Sequence, residues 1–265
     1  MDQVTIETRA KINRGLKILG QRKDGYHLLT SKMVPIDLKD QIILKKKEKG
    51  LVYESNLVDL AWDENNFCYK CLNLLEKKLN RKFHLEIHLE KKIPLGAGLA
   101  GGTANGAGIL KGINQLYDLG LDLQTLQAWA LDLGADFPFC LYDHPAEVEG
   151  IGEKIRPIQE EPTPLLLINP GYQLSTKEVY AWYDQDQDKD RDLGVINDLQ
   201  EPVLRRHPDL VEVDQALKKT GAFEVSMSGS GPTFYGLYSS LEARDQAKKS
   251  LEGFFPLVIA GTTGI

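Results

Sequence analysis

Between Pro94 and Gly108 the chain carries six glycines and no charged residue in fifteen positions. Glycine lets a backbone turn sharply and come close to a ligand. The apolar run Ile109–Tyr117 that follows reads as a helix. A helix N-terminus offers unpaired N–H groups and the positive end of a dipole. Together these features suit a polyphosphate. The loop lacks the Gly-Lys-Ser/Thr ending of a P-loop. Gly96, Gly98 and Gly101 fit G-x-G-x-x-G, but no acidic residue closes a strand about 20 positions further on, as a dinucleotide fold requires. On spacing alone, a tight structural turn stays open beside the phosphate reading.

Other residues could also carry chemistry. Asp136 is the one acid in the compact apolar segment Asp136-Phe137-Pro138-Phe139-Cys140-Leu141. Burying a carboxylate there is costly without a purpose, although Gly134-Ala135-Asp136 would also suit a helix end with an Asx turn. Lys11 taken alone reads as a solvated strand lysine. Cys68 and Cys71 form a C-x-x-C, yet no second pair or histidine cluster completes a zinc site. The segment around them has helical periodicity, so they are expected to pack on a helix face. His84 and His88 lie four apart on the alternating segment Phe83–Leu89. That spacing joins two ligands only on a helix, so they are expected to be solvated strand residues.

The 265 residues carry a net charge of −6 with 42% hydrophobic residues. The acidic balance argues against nucleic-acid or acidic-membrane partners. The N-terminus has no basic, apolar leader. No apolar run approaches the roughly 18 residues of a membrane span. Three cysteines do not suggest a disulfide framework. The expectation is a soluble, cytoplasmic protein, monomer or homodimer, acting on a small molecule without nucleic-acid or membrane partners.

Periodicity predicts strands over 4–10, 12–19, 28–36, 41–44, 83–89, 164–169, 222–227, 234–238 and 257–260. It predicts helices over 65–80, 109–117, 123–133, 199–204, 208–220 and 241–253. The polar stretch 184–192 reads as a flexible surface loop, and 228–233 as a second small-residue loop. Without regular βαβ alternation, the class is α+β.

Read in order, the motifs resemble a known family. Pro94-x-Gly96-Ala97-Gly98-Leu99-x-Gly101-Gly102-Thr103 resembles the glycine-rich motif of the GHMP kinases (galactokinase, homoserine, mevalonate and phosphomevalonate kinases). Ala10-Lys11-Ile12-Asn13, Gly20-Gln21-Arg22-Lys23-Asp24-Gly25-Tyr26-His27, Gly134-Ala135-Asp136-Phe137-Pro138-Phe139, Gly150-Ile151-Gly152-Glu153 and Met227-Ser228-Gly229-Ser230-Gly231 resemble motifs of one branch. That branch phosphorylates the 2-hydroxyl of a cytidylated methylerythritol on the non-mevalonate route to isoprenoid precursors.

The resemblance implies a two-lobed α+β fold. Residues 1–155 would form a ribosomal-protein-S5-domain-2-like nucleotide-binding lobe, and residues 156–265 a ferredoxin-like one. It implies ATP and Mg²⁺ as cofactors. It makes Asp136 the catalytic base and Lys11 the cation beside it. Pro94, Gly96, Ala97, Gly98, Leu99, Ala100, Gly101, Gly102, Thr103 and Asn105 become ATP-binding, with Thr103 also toward Mg²⁺. Asn13, Tyr26, His27 and Tyr180 become substrate-binding, the aromatics around the cytosine. Asn105 could equally cap the helix.

Ala100, Thr103 and Ala104 stand where the branch has glycine, serine and serine. An alanine at 100 is expected to fit where φ is negative. Arg14-Gly15 interrupts an apolar run after Asn13. A kinase with another alcohol acceptor, or a nucleotide-binding regulatory protein without turnover, stays open on these departures.

Overall fold

The first strand runs unbroken over Gln3–Gln21 (β1), and the second over His27–Lys46 (β2), in a computed structural model that describes residues 1–58, 60–186 and 195–264. The sequence pattern had split each into two shorter strands. Ala10, Lys11, Ile12 and Asn13 are all buried, so the inside–outside alternation that marks a half-exposed strand disappears there. The chain forms two compact units. One holds Met1–Ala10, Leu38–Pro94 and Ala100–Asp143; the other holds Lys11–Asp37, Leu95–Leu99 and His144–Ile265.

In the first unit, β3 (Leu51–Ser55), α1 (Phe67–Leu79), β4 (Leu85–Glu90), α2 (Gly101–Tyr117), α3 (Leu123–Ala130) and α4 (Phe137–Tyr142) follow one another. β3 pairs parallel with β4, and β4 antiparallel with Gln41–Lys46 of β2. Phe83, Leu85, Ile87 and Leu89 are buried, as their alternation predicts. Asn66 caps α1 by accepting from the Cys68 N–H at 2.8 Å. β3 had no signal in the sequence: it is short and none of its residues is fully buried.

α2 corrects the expected helix start at Ile109, for it begins eight residues earlier within the glycine run. These small residues are helical because α2 packs at close range. A Cβ on Gly106 would fall 2.8 Å from the Cys71 Sγ, on Gly108 2.4 Å from the Thr8 Cγ2, and on Gly112 2.5 Å from the Leu44 Cδ1.

A buried polar network ties this unit together. Asp40 Oδ1 accepts from the Lys92 N–H at 2.6 Å and the Ile93 N–H at 2.8 Å. Asp40 Oδ2 accepts from the Lys91 ammonium and from Asn105 Nδ2. Asn105 Oδ1 accepts from Lys91 Nζ at 2.9 Å, and Asn105 Nδ2 also donates to the Thr8 hydroxyl at 2.8 Å. One carboxylate thereby links β1, β2, the segment after β4, and α2.

In the second unit, β5 (Ala146–Gly150), β6 (Lys154–Pro157), β7 (Pro164–Asn169), α5 (Thr176–Gln185), α6 (Gln200–Arg206), α7 (Pro208–Lys219), β8 (Glu224–Met227), β9 (Phe234–Leu237), α8 (Leu241–Leu251) and β10 (Leu257–Thr262) complete the chain. β5 pairs with Leu29–Met33 of β2 and with β6. β7 to β10 form an antiparallel sheet in the order β10-β7-β9-β8. With helices after β7 and β9, this is the β-α-β-β-α-β course of a ferredoxin-like fold. Leu166, Ile168, Met227 and Phe234 of the sheet pack against Val179, Val203, Leu217 and Leu251 of the helices. The expected loop over 184–192 falls mainly outside the described residues. Asp184 and Gln185 belong instead to the end of α5. Among the described residues, no helix is long and apolar enough to cross a membrane.

Lys91→Met would leave the Asp40 carboxylate buried without its cation. It is expected to lower unfolding free energy by about 3–5 kcal/mol in urea titrations. Lys92→Met, on the exposed neighbour, is expected to change it by no more than about 0.5 kcal/mol.

Candidate active site

The glycine segment owes its path to close backbone packing. Gly96 and Gly98 take φ values of 58° and 74°. A Cβ on Gly98 would sit 2.4 Å from the Ser228 carbonyl oxygen and 2.8 Å from that of Gly231. The Ser228 hydroxyl donates to the Gly98 carbonyl at 3.1 Å, and the Lys11 N–H to the Leu99 carbonyl at 3.1 Å. Ala100 then turns the chain into α2 with φ 55°, and its side chain makes no cap bond. This corrects the expectation of a negative φ. The chain must reverse in one residue before α2, and a methyl-bearing residue there costs about 1–2 kcal/mol. The first helical bond closes from the Ala104 N–H to the Ala100 carbonyl at 2.8 Å. The N–H groups of Gly101, Gly102 and Thr103 therefore have no partner within the helix.

Lys11 and Asn13 form a buried corner in the second unit, at 4% and 1% exposure. Lys11 is thus not a solvated strand lysine. Its ammonium donates to Asn13 Oδ1 at 2.6 Å, and Asn13 Nδ2 donates to the Ser31 hydroxyl at 2.8 Å. The Asn13 N–H reaches the Ser228 hydroxyl at 3.3 Å. A Cβ on Gly229 would lie 3.0 Å from Asn13 Oδ1 and 3.6 Å from Lys11 Nζ. The second small-residue loop therefore rests directly on this corner. Asn197, fully buried, holds that loop by donating to the Met227 and Gly229 carbonyls at 2.8 Å each. Nothing in the sequence marked Asn197, which lies outside every small-residue run.

His27 and Tyr180 also meet in this unit. Their ring centroids are 4.8 Å apart, tilted by 31°, and Tyr183 approaches His27 edge-on at 6.0 Å. His27 Nε2 lies 2.8 Å from Asp184 Oδ1. Tyr26, the fourth expected substrate residue, is 58% exposed beside its turn. In the first unit, Asp136 is half-buried just before α4, and its side chain does not cap that helix. Its carbonyl accepts from the Cys140 N–H at 3.0 Å.

Residues 66–144 match the GHMP kinases N terminal domain, and residues 184–257 the GHMP kinases C terminal. A 4-diphosphocytidyl-2-C-methyl-D-erythritol kinase of Clostridioides difficile is 37% identical over 272 residues, covering 95% of this chain and 92% of its own. The chain belongs to the GHMP kinases, in the 4-diphosphocytidyl-2-C-methyl-D-erythritol kinase family. A relative of that name from Symbiobacterium thermophilum is 35% identical, covering 90% of this chain and 92% of its own. The crystal structure of a 4-(cytidine 5'-diphospho)-2C-methyl-D-erythritol kinase superposes with a TM-score of 0.85 at 31% identity, covering 99% of this chain and 100% of its own. As a GHMP kinase, this is a small-molecule kinase that uses ATP.

Several expectations for a GHMP kinase site need adjustment or receive a physical reason. Asn105 neither starts α2 nor caps it. Its amide turns inward to Lys91, Asp40 and Thr8. Cys68 and Cys71 are buried thiols on α1, as their periodicity implied, and burial pushes the Cys68 pKa up to about 12. His84 accepts from the Gly50 N–H at 3.1 Å, while His88 pairs with Glu54 and Glu86. Among the described residues, no group of three or more His, Cys, Asp or Glu could hold a metal.

Arg14 is engaged by carboxylates. Its Nε and Nη2 meet Glu224 at 3.0 and 2.6 Å, and Nη1 meets Glu160. Lys32 also pairs with Glu160, and the Tyr235 hydroxyl donates to Glu224 at 2.9 Å. Burial opposes the Arg14 charge, but the hydrogen bond and charge of Glu224, with Glu160, raise its pKa above the usual value. For Glu224, burial alone would raise the pKa; the hydrogen bond and charge of Arg14 outweigh it and hold the carboxyl below its ordinary range.

Two outcomes follow. Ala100→Gly relieves the left-handed strain and is expected to stabilise the enzyme by about 1 kcal/mol in urea unfolding. Glu224 gains its stabilisation above the ordinary carboxylate pKa of about 4.3 and loses it as pH falls through the lowered folded value. The stability gap between wild type and Glu224→Gln is therefore expected at pH 6 and to shrink toward pH 3.

Proposed function

We propose that this kinase transfers the γ-phosphoryl of ATP to the 2-hydroxyl of 4-diphosphocytidyl-2-C-methyl-D-erythritol, a step toward isoprenoid precursors. The observation that carries the reading is the pairing of His27 with Tyr180 in the unit that also holds the Lys11–Asn13 corner. A tilted aromatic pair in which one ring is a hydrogen-bonding imidazole suits a pyrimidine. The relatives named for the same acceptor, 37% and 35% identical over most of the chain, support it.

Asp136 takes the proton of the acceptor hydroxyl as that oxygen attacks phosphorus. Lys11, oriented by Asn13, stabilises negative charge that develops during transfer. The N–H groups of Gly101, Gly102 and Thr103 face the phosphates of ATP, with Pro94, Gly96, Ala97, Gly98, Leu99 and Ala100 shaping the approach. Tyr26, His27 and Tyr180 receive the cytosine.

The residues fit Mg²⁺ as an ion carried mainly by the nucleotide. No protein cage of three metal-binding side chains exists among the described residues, and the Thr103 hydroxyl in the first turn of α2 is a suitable single ligand. When bound, Mg²⁺ held by the Thr103 hydroxyl would offset the negative charge of the nucleotide's phosphates.

The division at residue 155 belongs to the same proposal, and the two family matches fall on either side of it. The three cysteines, all buried thiols, fit a reducing cytoplasm.

The test is ADP release from ATP dependent on the cytidylated acceptor. Asp136→Asn is expected to lower kcat by about 10²–10⁴-fold with the fold intact. Full activity in Asp136→Asn would remove Asp136 as the base. Tight ATP binding with no ADP release for this or any other small alcohol would leave a nucleotide-binding protein without turnover.

A further inference from the structure

We propose that Arg14 is a positioning residue for phosphoryl transfer: gripped by Glu224 and Glu160, it fixes the strand segment that presents Lys11 and Asn13. The proposal rests on the reading that Lys11 acts in that transfer.

Neighbouring side chains on a strand point to opposite faces. Asn13 turns to Lys11 and Ser31, while Arg14 turns to Glu224 and Glu160. Directly after Arg14, Gly15 takes φ 94°, and Leu16 departs to bridge Asn197. β1 continues through Gly15, but the backbone there takes a positive φ that a regular strand does not have. The direct bond between Asn13 and the 228–231 loop is the long one, 3.3 Å from the Asn13 N–H to the Ser228 hydroxyl.

The Arg14 fork supplies a firmer tie at the same place. Glu224 lies on β8 four residues before Ser228, and Arg14 directly follows Asn13 on β1, so the ion pair joins β1 to β8 beside the Lys11–Asn13–Ser228 corner. The Tyr235 hydroxyl holds Glu224 from β9, and Lys32 shares Glu160.

Apolar residues could fill such a position with equal or greater stability, because buried ion pairs repay their desolvation poorly. What a planar fork adds is orientation: two parallel hydrogen bonds fix direction as well as distance, which a lysine ammonium does not reproduce.

Steady-state kinetics of wild type, Arg14→Lys, Arg14→Leu and the double variant Arg14→Leu/Glu224→Leu with ATP and the cytidylated acceptor test this. Arg14→Lys is expected to lower kcat by about tenfold to a hundredfold, with both KM values within about threefold. The double variant removes the fork and its main partner together. It is expected to keep a wild-type thermal midpoint without recovering kcat. A kcat within about twofold of wild type in folded Arg14→Lys or in the double variant would overturn the proposal. So would losses of kcat that simply follow losses of thermal midpoint across the series. Active wild type with undisturbed variants would remove this inference alone, whereas wild type without turnover would remove the proposed function and this inference with it.

Discussion

The Asp40 carboxylate governs how the glycine-rich segment begins. Fully buried, it accepts from two consecutive backbone N–H groups, from the Lys91 ammonium and from the Asn105 amide. A buried carboxylate is tolerated when its lone pairs are matched in this way. The consequence runs along the chain. Lys92 and Ile93 are pinned just before Pro94, and Asn105 is pinned one turn into α2. Between these points the chain must form its turn and start a helix over Lys91. A Cβ on Gly101 would lie 3.2 Å from Lys91 Nζ and 2.7 Å from Ile93 Cγ2. Glycine at the helix start is thus demanded by the packing of Ile93 and the buried Lys91 against it.

The glycine run serves two purposes that its composition does not separate. Gly98 allows backbone to lie on backbone, against the loop that carries Ser228 and Gly231. Gly106, Gly108 and Gly112 let α2 approach its neighbours within the first unit. Ala100 belongs to neither group. It is a methyl-bearing residue in a conformation glycine would hold without strain, placed at the N-terminus of α2. Strain of this kind persists when surrounding contacts over-determine the backbone. Here Leu99 on one side and Ala104 on the other are both fixed by backbone hydrogen bonds.

Local pattern revealed elements, and the family motifs revealed chemistry. The burial of Phe83 to Leu89 and the helix bearing Cys68 and Cys71 were legible because each repeats within a few residues. The continuous β1 was not, because Lys11 and Asn13 are buried polar residues, which breaks the alternation that identifies a strand. Lys11 and His27 stood out through motif resemblance alone, whereas Asp136 was also marked as the one acid in an apolar segment. Lys91, Asp40 and Asn197 did not, since their partners lie 51 and 32 residues away in the chain. Asn105 misled for the same reason. Its position near a helix start suggests a cap, while its partners lie on β1, on β2 and just after β4. Arg14 read as a break in an apolar run until Glu160 and Glu224 came into view from distant segments.

In the proposed reaction of this GHMP kinase, the buried Lys11–Asn13 corner takes part in phosphorylating an alcohol on a cytidylated substrate. The most direct measurement is ³¹P NMR of the products formed from ATP and 4-diphosphocytidyl-2-C-methyl-D-erythritol. The proposed transfer predicts a new phosphomonoester resonance, growing in step with ADP, on a substrate whose diphosphate stays intact. ADP accompanied only by inorganic phosphate, or an unchanged spectrum, would contradict it.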